Sequence, residues 1–205
     1  HRIVVHRRRG LEIIHNPEVN GQLEAMKIVS LPWKEITEEY NDLGPDDVLI
    51  VPAFGAPVAY MEKVNEQGCM IIDTTCGDVM KVWRRVKTYA QEGITSIIHG
   101  KVGHEETRAT ASRALGDDKK GHFVIVLTLD DVHVVCDYLK NGGDRNAFLT
   151  RFSEATSPGF DPDWHLQKVG VANQTTMLKS ETEEIQRLVA AAVQSRDGNL
   201  ENFKV

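Results

Sequence analysis

Short apolar runs alternate along this chain with stretches whose apolar residues recur every three or four positions. Val48-Leu49-Ile50-Val51 is followed by a helical pattern from Pro57 to Glu66. Then come Met70-Ile71-Ile72, a second helical pattern from Val79 to Ala90, and Ser96-Ile97-Ile98. In the second of these helices Val79, Val82, Trp83 and Val86 fall on one face, and Gly93 stands where a helix should stop. The order repeats downstream, with a strand over Phe123 to Leu129, a helix over Asp130 to Leu139 and a strand at Val169-Gly170-Val171. A last helix is expected to open on a capping box, Ser180-Glu181-Thr182-Glu183, and to bury Ile185, Leu188, Val189 and Ala192. Strands alternating with helices in this way predict an α/β fold of consecutive small domains, each with a mostly parallel sheet and helices on both faces. The break between two such units is expected near Cys76, so that residues 1–76 form one unit and 77–205 the next. One long irregular stretch, from about Asn141 to His165, reads as a loop-rich insertion.

Length and charge narrow the picture further. With 205 residues the chain can bury a core in each unit. No apolar stretch approaches the roughly 20 residues of a membrane helix, so no membrane association is expected. A net charge of −6 argues against general nucleic-acid binding, and Arg7-Arg8-Arg9 is too short to reverse that and reads as a solvated edge. Three cysteines fit a reducing compartment better than a disulfide framework. The chain opens on His1 and closes on Asn202-Phe203-Lys204-Val205, which looks like the start of a buried strand, so further sequence is expected at both ends.

Ligands of parallel α/β sheets bind beyond the carboxyl ends of the strands, which directs attention to the loops that follow them. These are Pro52-Ala53-Phe54-Gly55, Asp73 to Asp78, His99 to Glu106 and Ala172 to Thr176, with His15-Asn16 as a fifth candidate. Cys76 lies between a strand and a helix, where backbone N–H groups and the helix dipole favour a thiolate. The position suits a nucleophile or a metal ligand, and equally a small buried residue at a tight turn. Cys69 opens the strand that Cys76 closes, about 23 Å away at strand rise, so the two do not share one cluster. Cys136 shares an apolar helix face with Val132, Val135 and Leu139 and is expected in the core. His104 and Glu106 stand at a helix mouth, a ready anion site in which a carboxylic acid can also deliver a proton; ordinary helix capping accounts for the same residues. His15-Asn16 before Pro17 is likewise compatible with a plain helix start. His122, His133 and His165 lack any such setting and read as structural or exposed.

Five strings occurring in this order closely resemble the 4-hydroxy-3-methylbut-2-enyl diphosphate reductase family. They are Glu12-Ile13-Ile14-His15-Asn16-Pro17, Pro52-Ala53-Phe54-Gly55-Ala56, Asp73-Thr74-Thr75-Cys76-Gly77-Asp78-Val79, His99-Gly100-Lys101 through His104-Glu105-Glu106-Thr107, and Ala172-Asn173-Gln174-Thr175-Thr176-Met177-Leu178. The likeness covers nearly all of the chain after about residue 12. It implies three lobes around a 4Fe-4S cluster held by three cysteines, with one iron open to the substrate hydroxyl. That hydroxyl is removed as water with two electrons and two protons, yielding isopentenyl and dimethylallyl diphosphate in the methylerythritol phosphate route.

On this resemblance Cys76 matches the middle cluster ligand. His15, Asn16 and His104 match groups around the diphosphate, Glu106 the proton-delivering carboxylate, and Gln174, Thr175 and Thr176 the loop near the substrate hydroxyl. The other two cysteines match positions before the start and after the end of this chain, and the third lobe is expected to be absent. Phe54 stands where many members place another histidine, within a string typical of the plant and cyanobacterial type. The resemblance further implies ferredoxin or flavodoxin as electron donor, and the bacterial cytoplasm or plastid stroma as the compartment. Two other readings stay open: a non-catalytic α/β module that keeps a phosphate site without a cluster, and a cysteine-dependent enzyme with Cys76 as nucleophile and a histidine as base.

Overall fold

The computed structural model of the chain describes residues 3–7, 17–32 and 43–205. They fall into two compact units, His1–Val79 and Met80–Val205. In the first, β1 (Ile3–Arg7), α1 (Pro17–Ala25), β2 (Val29–Pro32), β3 (Val48–Val51), α2 (Val58–Glu66) and β4 (Met70–Asp73) build a four-stranded parallel sheet in the order β2-β1-β3-β4. Leu49 and Val51 of β3 are buried under Tyr60 and Val64 of α2, while Ile50 packs with Leu23 and Ile28 on the side of α1. Arg8 and Arg9, expected at a solvated edge, lie outside the described residues, as do His15 and Asn16.

α3 (Gly77–Gln91) leads into the second unit, which contains β5 (Thr95–His99), α4 (Glu105–Ala114), β6 (Phe123–Val126), α5 (Leu129–Asn141), α6 (Arg145–Arg151), α7 (Pro162–His165), β7 (Val169–Asn173), α8 (Lys179–Asp197) and β8 (Phe203–Lys204). Its sheet is also parallel and runs β6-β5-β7-β8. The two sheets therefore share one topology, with the first strand of each unit central and the chain stepping first to one side and then to the other. Every residue of β5 is buried, as expected for a parallel strand covered on both faces. Two helix pairs supply the cover: α5 packs along α8, and α3 meets α4 where the Arg113 guanidinium lies 3.2 Å over the Trp83 ring. Cys136 is buried in this core, which pushes its thiol up to about 11, and burial likewise raises Cys69. Gly170 has no side chain because none fits: a Cβ there would stand 2.5 Å from the Tyr89 ring, which α3 lays across β7.

Three expectations need correction. The stretch from Asn141 to His165 is not irregular, since it carries α6 and α7. Both are short, and both are started by aspartates, Asp144 and Asp161, whose side chains accept backbone N–H groups of the first turn. Buried Phe148, Phe152 and Phe160 anchor the segment, but helices of seven and four residues are too brief to show a period. The strand expected to run to Leu129 ends at Val126, because Thr128 and Asp131 form a reciprocal capping box that starts α5 and leaves Leu127 and Leu129 exposed. The capping box expected at Ser180 does not form. α8 begins at Lys179 with Leu178 as its cap and no side-chain cap bond, which places Ser180 inside the first turn.

His122 and His165 are structural, one of the two settings expected for them. Their rings stack with centroids 3.5 Å apart, beside Phe160. His122 is joined to the Ser157 hydroxyl through Nδ1, and His165 Nδ1 accepts the Asp161 N–H. Burial lowers the pKa of both; His165 lowers His122 further, while Asp161 acts in the opposite sense on His165. A histidine whose folded pKa lies below its unfolded value keeps its full stabilisation above the unfolded value and loses it as the pH falls. The unfolding midpoint in urea is therefore expected to be flat from pH 8 to about 7 and to fall between about 6.5 and 5, with His99 contributing in the same direction. Replacing His122 by Gln should flatten that slope, and an unchanged slope would exclude the pair as its source. Gly170→Ala is expected to cost about 1–3 kcal/mol in the same assay, through the clash with Tyr89.

Candidate functional site

In each sheet the chain leaves the two central strands in opposite directions, the arrangement in which α/β sheets bind ligands beyond the carboxyl ends of the strands. In the second unit these strands are β5 and β7, hydrogen-bonded from Thr95 to His99. The pairing continues one step past the strands, as Gln174 N–H donates to His99 O at 2.8 Å. The loop from Gly100 to His104 and the loop from Gln174 to Leu178 consequently lie side by side.

Glu106, in the first turn of α4, is 3% exposed. Its Oε1 accepts the backbone N–H of Thr175, and its Oε2 is paired with Thr175 Oγ1 at 3.0 Å. A buried carboxylate thus has both oxygens engaged by one residue, and that residue is itself exposed. The pairing accommodates a proton in either place. With Glu106 ionised, the Thr175 hydroxyl donates to it; with Oε2 protonated, the same hydroxyl accepts and turns its own hydrogen outward.

Gln174, also 3% exposed, ties the two loops together. Its Oε1 accepts from Lys101 N–H at 3.2 Å and from Thr107 Oγ1 at 2.9 Å, while its Nε2 donates to Thr176 Oγ1. Such close contact requires Gly100, where a Cβ would stand 2.6 Å from Thr107 Oγ1 and 3.1 Å from Gln174 Cβ. His104 is the N-cap of α4, and its Nδ1 accepts Glu106 N–H at 3.2 Å. The ring proton therefore rides on Nε2, which makes that nitrogen the donor. The capping role weighed for this segment falls to His104, while Glu106 turns back towards Thr175.

In the first unit the loops after β3 and β4 are likewise joined. Pro52 to Gly55 closes a turn through Gly55 N–H to Pro52 O at 2.8 Å, with Gly55 at φ 77. Cys76 N–H donates to Ala53 O at 2.8 Å, and Thr74 N–H to Val51 O at 3.1 Å. Thr75 bonds back to the Asp73 carboxylate through both its N–H and its hydroxyl. Cys76 thus sits on a main chain held from two sides, directly before α3, and its thiol is exposed whereas Cys69 and Cys136 are buried. Among the described residues no group of three His, Cys, Asp or Glu side chains is arranged to hold a metal ion. Nor, among the described residues, is any helix long and apolar enough to cross a membrane.

Of the residues singled out from sequence, Glu106, Thr175, Gln174, Thr176 and His104 meet at one end of the second sheet. Cys76 lies in the loop pair of the first unit, and His15 and Asn16 fall outside the described residues. Sequence reading took His99, Glu105 and Thr107 only as members of a loop and a matching string and gave none of them a role; Glu105 is buried, and its Oε1 has no hydrogen-bond partner among the described residues. Each looks ordinary in one dimension, and only its position at the ends of β5 and α4 draws notice.

The model of the LytB protein family matches residues 9–203. Among curated proteins, the 4-hydroxy-3-methylbut-2-enyl diphosphate reductase of Synechococcus sp. (strain RCC307) is 51% identical over 187 residues, covering 91% of this chain and 45% of that protein. The protein of the same name from Thermosynechococcus vestitus is 51% identical over 177 residues, covering 86% of this chain and 42% of that protein. The chain thus spans under half the length of these relatives. Among solved structures, that of (E)-4-hydroxy-3-methyl-but-2-enyl diphosphate reductase superposes with a TM-score of 0.64 at 22% identity, covering 94% of this chain and 54% of that one. The Plasmodium falciparum E-1-hydroxy-2-methyl-but-2-enyl-4-diphosphate reductase gives 0.61 at 21% identity, covering 99% and 49%. At that identity the likeness establishes a shared fold, and the match of the family model over residues 9–203 establishes that the chain belongs to the LytB protein family.

Proposed function

We propose that these residues are part of a 4-hydroxy-3-methylbut-2-enyl diphosphate reductase. In this reading the full-length protein removes the substrate hydroxyl reductively in isoprenoid precursor synthesis, giving isopentenyl and dimethylallyl diphosphate. The observation that carries the proposal is the buried Glu106 carboxyl group gripped at both oxygens by the exposed Thr175, beyond the carboxyl ends of the β5-β7 pair. The reaction breaks one C–O bond, takes up two electrons and two protons and releases water. Hydroxide is a poor leaving group, so an acid must supply a proton as the bond breaks. Glu106 holds that proton on Oε2, and the Thr175 hydroxyl passes it to the substrate oxygen. Gln174 and Thr176 shape the wall beside that oxygen. His104, donating through Nε2, and His15 with Asn16 bind the diphosphate.

Cys76 fits one ligand of a 4Fe-4S cluster: a soft, exposed thiol on a pinned loop, in contrast to the buried Cys69 and Cys136. When bound, such a cluster supplies the electrons and an electrophilic iron. The other cysteine ligands come, in this reading, from sequence outside these residues. Residues 1–76 then supply part of the first of three lobes and 77–205 the second. The electron donor is a ferredoxin or flavodoxin, and the cyanobacterial relatives support a bacterial cytoplasmic or plastid stromal setting.

The test is made in the full-length protein with a chemical reductant as electron source. Glu106→Gln is expected to lower kcat by about 10²–10⁴-fold with little change in KM, because it keeps the shape and removes the transferable proton. Thr175→Ser should retain most activity. Wild-type turnover in Glu106→Gln would remove the carboxylate from the mechanism. Cys76→Ser is expected to abolish stoichiometric iron and acid-labile sulfide after anaerobic reconstitution, and full retention of both would exclude Cys76 as a ligand.

A further inference from the structure

His99 closes β5 and is 1% exposed. Its carbonyl accepts the N–H of Gln174, the first residue of the loop that carries Thr175. Its ring reaches the other end of the same loop, with Nδ1 lying 2.9 Å from Thr182 Oγ1 in the first turns of α8. Nε2 is 4.0 Å from Glu181 Oε2, beyond hydrogen-bond reach but close enough to favour the ring proton on that nitrogen. Nδ1 is then the acceptor and the Thr182 hydroxyl the donor. Burial opposes a second proton on the ring and Glu181 favours one, with burial the larger effect. Thr182 is itself buried, and α8 has no side-chain cap bond of its own. The bond from His99 joins side chain to side chain and so ties the first turn of α8 to the end of β5.

Both ends of the segment from Gln174 to Thr182 are therefore tied to one residue. Between them, Thr175 grips Glu106 and Thr176 accepts from Gln174. We propose that His99 is a positioning residue: a neutral imidazole that clamps the loop after β7 from both ends and so sets the geometry of the Glu106–Thr175 pair. The proposal rests on the functional reading above for its effect on turnover, but not for its effect on the loop.

Two measurements separate these levels. Hydrogen exchange of the amides of residues 174–178 in the full-length protein is compared among wild type, His99→Leu, His99→Asn and Thr182→Val. His99→Leu and Thr182→Val are expected to speed exchange about tenfold or more. His99→Asn, whose side-chain oxygen can stand near the place of Nδ1 and accept from Thr182, should stay near wild type. In the reductase assay the first two variants are expected to lose about 10- to 100-fold in kcat with KM within a few-fold, and His99→Asn to recover most of it. Thr182→Val keeps the test decisive should His99→Leu not fold. Unchanged exchange and kcat in Thr182→Val, or a loss in His99→Asn as deep as in His99→Leu, would overturn the clamp. Faster exchange in a protein whose wild type has no reductase activity would support the clamp and overturn the functional reading instead.

Discussion

The parallel pairing of β5 with β7 is the constraint on which the candidate site depends. Each loop beyond these strands is closed by a turn bond of its own, from His104 N–H to Lys101 O and from Met177 N–H to Gln174 O, but takes its place from the strand beneath it. The pairing sets their separation at one inter-strand spacing, and the bond from Gln174 N–H to His99 O extends it into the loops. Only at that spacing can Thr175 reach Glu106 and Gln174 reach both Lys101 and Thr107. A one-residue slip would turn every side chain of β7 to the opposite face and take the grip on Glu106 with it.

What the pairing brings together is costly to bury, which explains how completely the groups are satisfied. An isolated carboxylate at the depth of Glu106 would carry a large desolvation penalty. It is offset by the N–H of Thr175 at Oε1 and by the Thr175 hydroxyl at Oε2, which donates to an ionised carboxyl and accepts from a protonated one. Gln174 uses both ends of its amide, and the space for it exists because residue 100 has no side chain. A polar network satisfied in this way is stiff, and stiffness suits a group that must present one proton at one place. In the first unit the Ala53 and Val51 carbonyls hold the backbone that presents Cys76, and the Asp73 carboxylate braces Thr75 beside it.

Legibility in one dimension followed the length of the signal. Long helices such as α3 and α8 repeat their apolar positions often enough to be read, and the buried strands β3 and β5 stand out as runs of branched residues. α6 and α7 do not, because seven and four residues give no period. Their start signals, Asp144 and Asp161, are individually common. The box expected at Ser180 and the one formed at Thr128 differ little as strings. Where the chain turns into the helix decided between them: α5 starts on Thr128, and α8 starts before Ser180 is reached.

By itself, the sequence determined the class of fold, the strands and longer helices from β3 onward, the core placement of Cys136, the family, and the loops that carry polar chemistry. These follow from local periodicity and from contiguous strings, which need no knowledge of what lies across the fold. Tertiary structure alone decided which polar residues meet. Glu106 is 69 positions from Thr175, Thr107 is 67 from Gln174, and His99 is 83 from Thr182. Hydrogen bonds across such separations leave no periodic trace in the chain, since each partner is a common residue in an ordinary local setting. They exist because parallel strands distant in sequence lie a few ångströms apart and end at the same edge.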